Sequence, residues 1–307
     1  SEEPSSVYES TSGTFVIAYR DGTNSSHGTA VAGTWSNGTM TWGTPVVFEA
    51  SAIDDQPKIC AGGGRVHIAY RDSSGNGGIK SASISGTTLS FGSETVFASS
   101  SDSAYANPMG YHVAYDTSTN YIIIFYQGGS ASTKTYVQPV YHSSGSYTLG
   151  AATELYADNL TSRYGDIVFD PDTNRTVITY NDPTNSNYRT ANVVQSSGTS
   201  GSPTVTVGSD SVIASVNSSN ACMTYDTQNN KVFVVYKDGD DSNSMKGSIG
   251  TVTGGGTNTI AFTTPAEVWN PTGNPNNVEI EFDQDNNKAF FFYRDEDSGD
   301  DFTYKII

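Results

Sequence analysis

Six times along this chain a short apolar run closes on a tyrosine: FVIAYRD ending at Asp21, VHIAYRD at Asp72, YIIIFYQG at Gly128, TVITYND at Asp182, VFVVYKD at Asp238 and AFFFYRD at Asp295. The anchors Tyr19, Tyr70, Tyr126, Tyr180, Tyr236 and Tyr293 are 51, 56, 54, 56 and 57 residues apart. A period of this length marks a supersecondary unit that buries its faces only by stacking on its neighbours.

A second motif follows the first five anchors, as TWGTPVVF, SFGSETVF, TLGAATELY, TVGSDSVI and AFTTPAEVW. Its lead residues Trp42, Phe91, Leu149, Val207 and Phe262 lie 23, 21, 23, 27 and 26 residues after their tyrosines. Alternating segments such as GTAVAGTW sit between the two and read as a third strand. Ahead of four anchors comes an apolar stretch and a turn, in AYDTSTNY, VFDPDTNR, TYDTQNNK and EFDQDNNK. An aspartate opening a tight hairpin bonds the backbone two residues on, and Asn tolerates the left-handed conformation that follows. Asp116, Asp170, Asp226 and Asp283 therefore read as turn residues in preference to calcium ligands, since no such loop carries the oxygen count of a dedicated site. Repeats one and two shorten the turn to STSG and AGGG.

Four short strands per unit and six units predict an all-β fold: a six-bladed β-propeller of four-stranded antiparallel blades, a single domain over residues 1–307. The anchor strands are apolar on both alternating faces, as Phe290, Phe291 and Phe292 show, which suits a sheet sandwiched between two others. The last blade is expected to lack its fourth strand, because the chain stops 14 residues after Tyr293. The polar SEEPSS ahead of the first inner strand reads as a poor substitute. An incomplete blade, a longer parent protein and an edge completed by a neighbouring chain all fit, and an open edge is a template for pairing.

The formal charge of -17, from 15 basic and 32 acidic residues, leaves no basic face for phosphates and argues against nucleic-acid partners and anionic membranes. No apolar run approaches the roughly 20 residues that cross a bilayer. Cys60 and Cys222 fall at the same inner-strand position of blades two and five, and are expected to stay unbridged.

The Arg-Asp dipeptides should ring one face of the propeller: Arg20 and Asp21, Arg71 and Asp72, Lys237 and Asp238, Arg294 and Asp295, with Asn181 and Asp182 as a neutral variant and Gln127 and Gly128 as a gap. One explanation is architecture, with paired charges and an aspartate capping its turn, repeated because the blades descend from one unit. The other is a set of shallow glycan sites in which Asp accepts hydroxyl hydrogens, Arg donates and an aromatic ring supplies a stacking face. The least repetitive connectors on that face carry Tyr105, Tyr111 and His112, and Arg163 and Tyr164, flanking the blade where the dipeptide fails. A unique site is expected there. His67, inside an anchor strand, is expected to pack between blades. Calcium, the one cofactor considered, would sit best at Asp238, Asp240 and Asp241, against the reading of a solvated acidic loop. No zinc spacing, nucleophile elbow or phosphate loop occurs.

AYDTSTNY, IAYRDGTNSSHGTAVAGTW and WGTPVVFEA together resemble the repeats of propeller proteins of marine bacteriophages and marine bacteria, often tail or surface proteins. The resemblance covers nearly the whole chain and implies a virion or extracellular attachment role, without fixing any functional residue. The leading expectation is a non-enzymatic propeller that binds a cell-surface polysaccharide or other glycan. The alternatives are a secreted polysaccharide lyase or glycoside hydrolase, and a structural subunit joined to further copies or virion proteins through the edge of blade six.

Overall fold

Strands that are apolar on both faces must be covered on both faces, and this decides how the sheets are used. The computed structural model describes residues 2–54, 56–99, 110–128, 134–156, 161–269, 275–295 and 301–307, with the backbone alone at 2–3, 156, 161–164, 275–277, 295 and 301–302. Among these residues the regular structure is β-strand apart from one 3-10 turn at Pro183–Asn185. The chain forms two units, Ser1–Ala157 with Ser197–Thr204, and Asp158–Ser196 with Val205–Ile307.

In the first unit, repeat one is β1 (Glu2–Glu9), β2 (Thr14–Asp21), β3 (His27–Ser36), β4 (Thr39–Trp42) and β5 (Val46–Ala52). They pair in the order β1-β2-β3-β4, with β5 also on β3. Repeat two follows the same plan with β6 (Lys58–Gly62), β7 (Arg65–Arg71), β8 (Gly77–Ser85), β9 (Thr88–Phe91) and β10 (Thr95–Ala98). Repeat three uses β11 (Tyr111–Asp116), β12 (Tyr121–Gly128), β13 (Lys134–Ser143), β14 (Ser146–Leu149) and β15 (Thr153–Tyr156).

Repeats four and five share one nine-stranded sheet. Its strands are β16 (Thr161–Asp170), β17 (Arg175–Asp182), β18 (Tyr188–Thr199), β19 (Ser202–Val207), β20 (Ser211–Asp226), β21 (Lys231–Asp238), β22 (Ser244–Thr253), β23 (Thr259–Phe262) and β24 (Ala266–Trp269). The long β20 closes repeat four against β18 and opens repeat five against β21. Repeat six is a three-stranded sheet of β25 (Pro275–Asp283), β26 (Lys288–Asp295) and β27 (Asp301–Ile306). All these pairings are antiparallel, and among the described residues the last sheet has three strands.

Two local expectations need correction. The fourth strand of repeats one to five is two pieces: β4, β9, β14, β19 and β23 each end on the lead residue of the second motif, and the chain resumes strand four residues later. SEEPSS does form strand, because from Glu2 it pairs with β2 across a bulge between Glu2 and Ser5. Backbone pairing to a well-formed neighbour overrides the poor propensity of its side chains.

The turns behave as read. Asp116 accepts bonds from the backbone N–H of Ser118 at 2.8 Å and of Thr119 at 3.3 Å, and Asn120 follows at φ 60. Asp170, Asp226 and Asp283 repeat the arrangement, with Asn174, Asn230 and Asn287 left-handed. Glu9 does the same in repeat one, accepting from Thr11 and Ser12 ahead of Gly13 at φ 67.

Stacking follows one rule. Val16 and Ala18 of β2 pack on the Val66, Ile68 and Tyr70 face of β7, and Ala69 and Ile79 from the reverse of that sheet pack on Ile122, Ile124 and Tyr126. In the second unit Val177 and Val193 meet Val232, Val234 and Tyr236, while Cys222 and Val235 meet Phe291 and Tyr293. The face that carries the anchor tyrosine thus receives the opposite face of the preceding repeat. Tyr70 and Tyr126 in the first unit and Tyr236 and Tyr293 in the second are buried accordingly; Tyr180 is buried as well, and Tyr19 is half-exposed.

Candidate functional site

The strand ends at Asp21, Asp182 and Asp238 lead into turns of one length, DGTNSSH, DPTNSNY and DGDDSNS. In each the fifth and sixth residues are left-handed: Ser25 and Ser26, Ser186 and Asn187, Ser242 and Asn243. The opening aspartate holds the turn. Asp21 accepts from Thr23 N at 3.1 Å and Thr23 Oγ1 at 2.7 Å, Asp182 from Thr184 N at 3.0 Å and Oγ1 at 2.6 Å, and Asp238 from Asp240 N at 3.0 Å. Asp72 caps a shorter turn, accepting from Ser74 N and Asn76 N, both at 2.8 Å. The Thr23 hydroxyl holds the Asp21 carboxyl below its ordinary value. The acid half of the dipeptide is architecture at these four described positions.

The basic half is used differently. Arg20 pairs across β2 and β3 with Gly28, Arg71 with Gly77, Lys237 with Met245 and Arg294 with Phe302. In repeat four Asn181 replaces the cation, but its cross-strand partner is Arg189. A cation therefore stands at this cross-strand position in every repeat except three, where Gln127 faces Thr135. Aligning the third strands as well as the second would have revealed Arg189 from sequence. Arg189 is fully buried, and burial pulls its guanidinium down to about 9. Lys237 is also buried, whereas Arg20, Arg71 and Arg294 are half-exposed. Arg71 Nε is buried and has no hydrogen-bond partner among the described residues.

Beneath the rim the anchor hydroxyls end in polar pockets that differ from repeat to repeat. Tyr70 donates toward Glu49 at 3.1 Å and toward Glu94, and Lys80 Nζ lies 2.9 Å from Glu49. Burial raises the Glu49 carboxyl, but the Ser51 N–H and Lys80 outweigh it and bring it to about 2. Tyr180 donates to Asn192 Oδ1 at 2.5 Å, and Asn192 Nδ2 donates to Asp210 at 2.9 Å. A carboxyl that must give a proton to a leaving sugar oxygen needs a raised pKa. Glu49 is shifted the opposite way.

Among the residues expected to form a unique site, Tyr105 lies outside the described residues, and Arg163 and Tyr164 are described as strand backbone only, as is Asp295 of the dipeptide ring. Tyr111 and His112 are buried at the start of β11. Tyr111 packs edge-on to Phe97, with ring centroids 5.5 Å apart, and His112 lies against Phe125. Both are wall rather than rim. In the acidic loop Asp238 and Asp240 accept backbone N–H groups, while Asp241 takes Lys246 at 2.5 Å. No group of three or more His, Cys, Asp or Glu placed to hold a metal occurs among the described residues. Cys60 and Cys222 are buried free thiols.

Sequence reasoning placed His67 in the packing, where it lies buried, but missed its company. His67 Nδ1 is 3.0 Å from the Tyr147 hydroxyl, His142 Nε2 is 2.9 Å from Ser81 Oγ, and Arg65 donates to the same oxygen at 3.2 Å. These residues come from two repeats and no common motif, so no spacing signals them.

No protein-family model matches the sequence, and no curated protein matches it. Solved structures do share the fold. A triple mutant of AofleA from Arthrobotrys oligospora matches with TM-score 0.58 at 12% identity, over 99% of this chain and 82% of that one. The Aleuria aurantia lectin, as a mutant in complex with Fucα1-6GlcNAc, gives TM-score 0.51 at 12% identity over 99% and 95%. Trypanosoma rangeli sialidase in complex with sialic acid gives 0.50 at 9%, and this chain spans only 53% of it. At such identities the likeness establishes architecture, an all-β fold of the propeller-like kind.

Proposed function

We propose that the six repeats are the blades of one six-bladed propeller and that its rim, at the ends of the anchor strands, binds a glycan without cleaving it, as an attachment module of a virion or cell surface. The observation that carries the reading is the rim of repeat one. Tyr19, Asp21 and His27 are half-exposed on one face at the ends of β2 and β3, with Asp21 opposite His27 in register, and Arg20, between Tyr19 and Asp21, is half-exposed on the other face of the same edge. A phenol, a guanidinium and an imidazole on a rigid edge supply the donors and the ring that a sugar needs. The half-exposed guanidiniums of Arg71 and Arg294 repeat the donor at the same register. The lectin of like fold that holds a fucosylated disaccharide supports the class of ligand. A glycan array followed by turnover assays on the hits tests this. Binding that falls at least tenfold in Arg20→Ala and Arg71→Ala is the expected result; release of reducing ends or unsaturated uronates from a hit would overturn it.

A further inference from the structure

The sheets of repeats two and three, both in the first unit, pack through the reverse of β7 and the anchor face of β12. At the end of these strands away from the anchor hydroxyls the contact turns polar. Arg65 and His67 of β7 and Ser81 of β8 meet His142 of β13 and Tyr147 of β14, which is opposite His142 in register. His67 is spent within the fold: it bonds to the Gly62 backbone, and its Nδ1 is left for the Tyr147 hydroxyl 3.0 Å away. Ser81 Oγ links the other two, accepting from Arg65 Nη2 at 3.2 Å and lying 2.9 Å from His142 Nε2. Arg65 differs from the lysines of this chain. Lys80, Lys134 and Lys246 each meet a carboxylate, at 2.9, 2.7 and 2.5 Å, but no carboxylate among the described residues lies in ion-pair range of Arg65, in a sequence with 32 acidic side chains. The Arg65 Nε is buried and has no hydrogen-bond partner among the described residues. The two hairpins that border the cluster, GGG at 62–64 and SSGS at 143–146, carry no charge, and Asp116 is on the other face of β11 from Tyr115 and is held by its own turn.

We propose that this cleft binds a tetrahedral oxyanion of the sulfate or phosphate kind between Arg65 of one sheet and His142 of the other, and that His142 takes up a proton as the anion enters. Both side chains are half-buried, so the cleft opens to solvent through them. A planar carboxylate is filled by a guanidinium fork alone, whereas a tetrahedral anion keeps a further oxygen for an imidazole N–H from the facing sheet. Charged His142 donates through both ring nitrogens: Nε2 keeps Ser81, and Nδ1, which no described residue bonds, serves the anion. Burial, then Arg65, holds this imidazole below its ordinary value; a bound negative charge offsets both, so anion affinity and proton uptake rise together. Cys60, His67, Tyr115 and Tyr147 are the other titratable groups on the facing strands, and burial keeps each uncharged. The site stands apart from the glycan rim, because Arg65 opens β7 whereas Tyr70 and Arg71 close it.

Isothermal titration calorimetry of the full chain with sodium sulfate, against sodium chloride at equal ionic strength, reads the binding at about pH 5.5 and about pH 7.5, on either side of an ordinary histidine. Saturable sulfate binding is expected to be roughly tenfold tighter at the lower pH, and the His142 ring resonances to titrate at higher pH in sulfate than in chloride. Arg65→Gln is expected to weaken sulfate at least roughly tenfold. His142→Gln is expected to keep weaker binding that no longer depends on pH, with circular dichroism confirming the fold of each variant. Methyl sulfate tells the source of the anion: its binding assigns the site to an ester carried by a larger molecule, its failure where sulfate binds assigns it to the free ion, and either supports the proposal. Heats and a His142 titration that are alike in sulfate and chloride for the unsubstituted chain would overturn it, as would sulfate binding equally tight in Arg65→Gln or a pH dependence intact in His142→Gln.

Discussion

His67 makes the fold sensitive to acid in a way that can be isolated. Its ring is buried between β7 and the neighbouring sheet, stacked on Tyr115 at 5.9 Å and bonded to Tyr147. Burial, then His142, then Arg65 disfavour the imidazolium, and the folded pKa falls from 6.5 to about 3. Ser81, Tyr147 and Tyr115 face it without negative charge, and the Cys60 thiol is itself pushed up by burial. The folded state therefore refuses a proton that the unfolded chain accepts, so stability is full above about pH 6.5 and is lost as pH falls towards about 3. At about 1.4 kcal/mol per pH unit, the loss between about pH 6.5 and 4.5 is on the order of 2–3 kcal/mol. His142, also lowered by burial and Arg65, adds a slope of the same sign. Urea midpoints across this range should move steeply for the parent and much less for His67→Gln, whatever the variant costs at neutral pH. An equal slope in both proteins would refute the assignment.

Two further substitutions test the architecture. At Gly208 a Cβ would lie 1.8 Å from the Asn258 carbonyl oxygen, so Gly208→Ala should cost about 1–3 kcal/mol by overpacking, while Gly201→Ala, with nothing within 4 Å, should leave the melting temperature unchanged. The Asp116 carboxylate accepts from the Ser118 and Thr119 backbones and from both of their hydroxyls, so Asp116→Ala should cost about 1–2 kcal/mol and speed amide hydrogen exchange at Ser118 and Thr119 ahead of the rest of the sheet.

The chain announces its strands and turns because those are local: an apolar run, an Asp four residues before a left-handed Asn, a glycine after an aromatic. It announces the dipeptide rim for the same reason, and the aspartates then prove to be turn caps, the use that repetition favours. What the sequence hides is assembled across repeats. Arg189 fills a place that Asn181 vacates on another strand. The Glu49, Tyr70 and Glu94 cluster joins two sheets, as does the pair of His67 and His142. Tyr111 and His112 lie in a connector that looks exceptional in sequence, yet their side chains complete an ordinary packed wall.

One departure from the repeat becomes intelligible only through the neighbouring sheet. Glycine follows the lead residue of the second motif at 43, 92, 150 and 208, but repeat five has Thr263. In repeat one a Cβ at Gly43 would lie 2.1 Å from the carbonyl oxygen of Thr87, in the turn between β8 and β9, and Gly208 meets the turn between β22 and β23 in the same way. At these two positions the glycine is thus demanded by the third-to-fourth-strand hairpin of the repeat that comes next, while at Gly92 a Cβ would lie 3.4 Å from Gly145 O, an ordinary contact. The sheet that follows repeat five, β25 to β27, has no such hairpin among the described residues. Freed from that pressure, Thr263 keeps the bond common to the position, its N–H on Ile249 O at 3.0 Å, and its hydroxyl accepts the Ile249 N–H at 3.0 Å. A side chain in repeat five is therefore set by a hairpin that the described residues of repeat six lack.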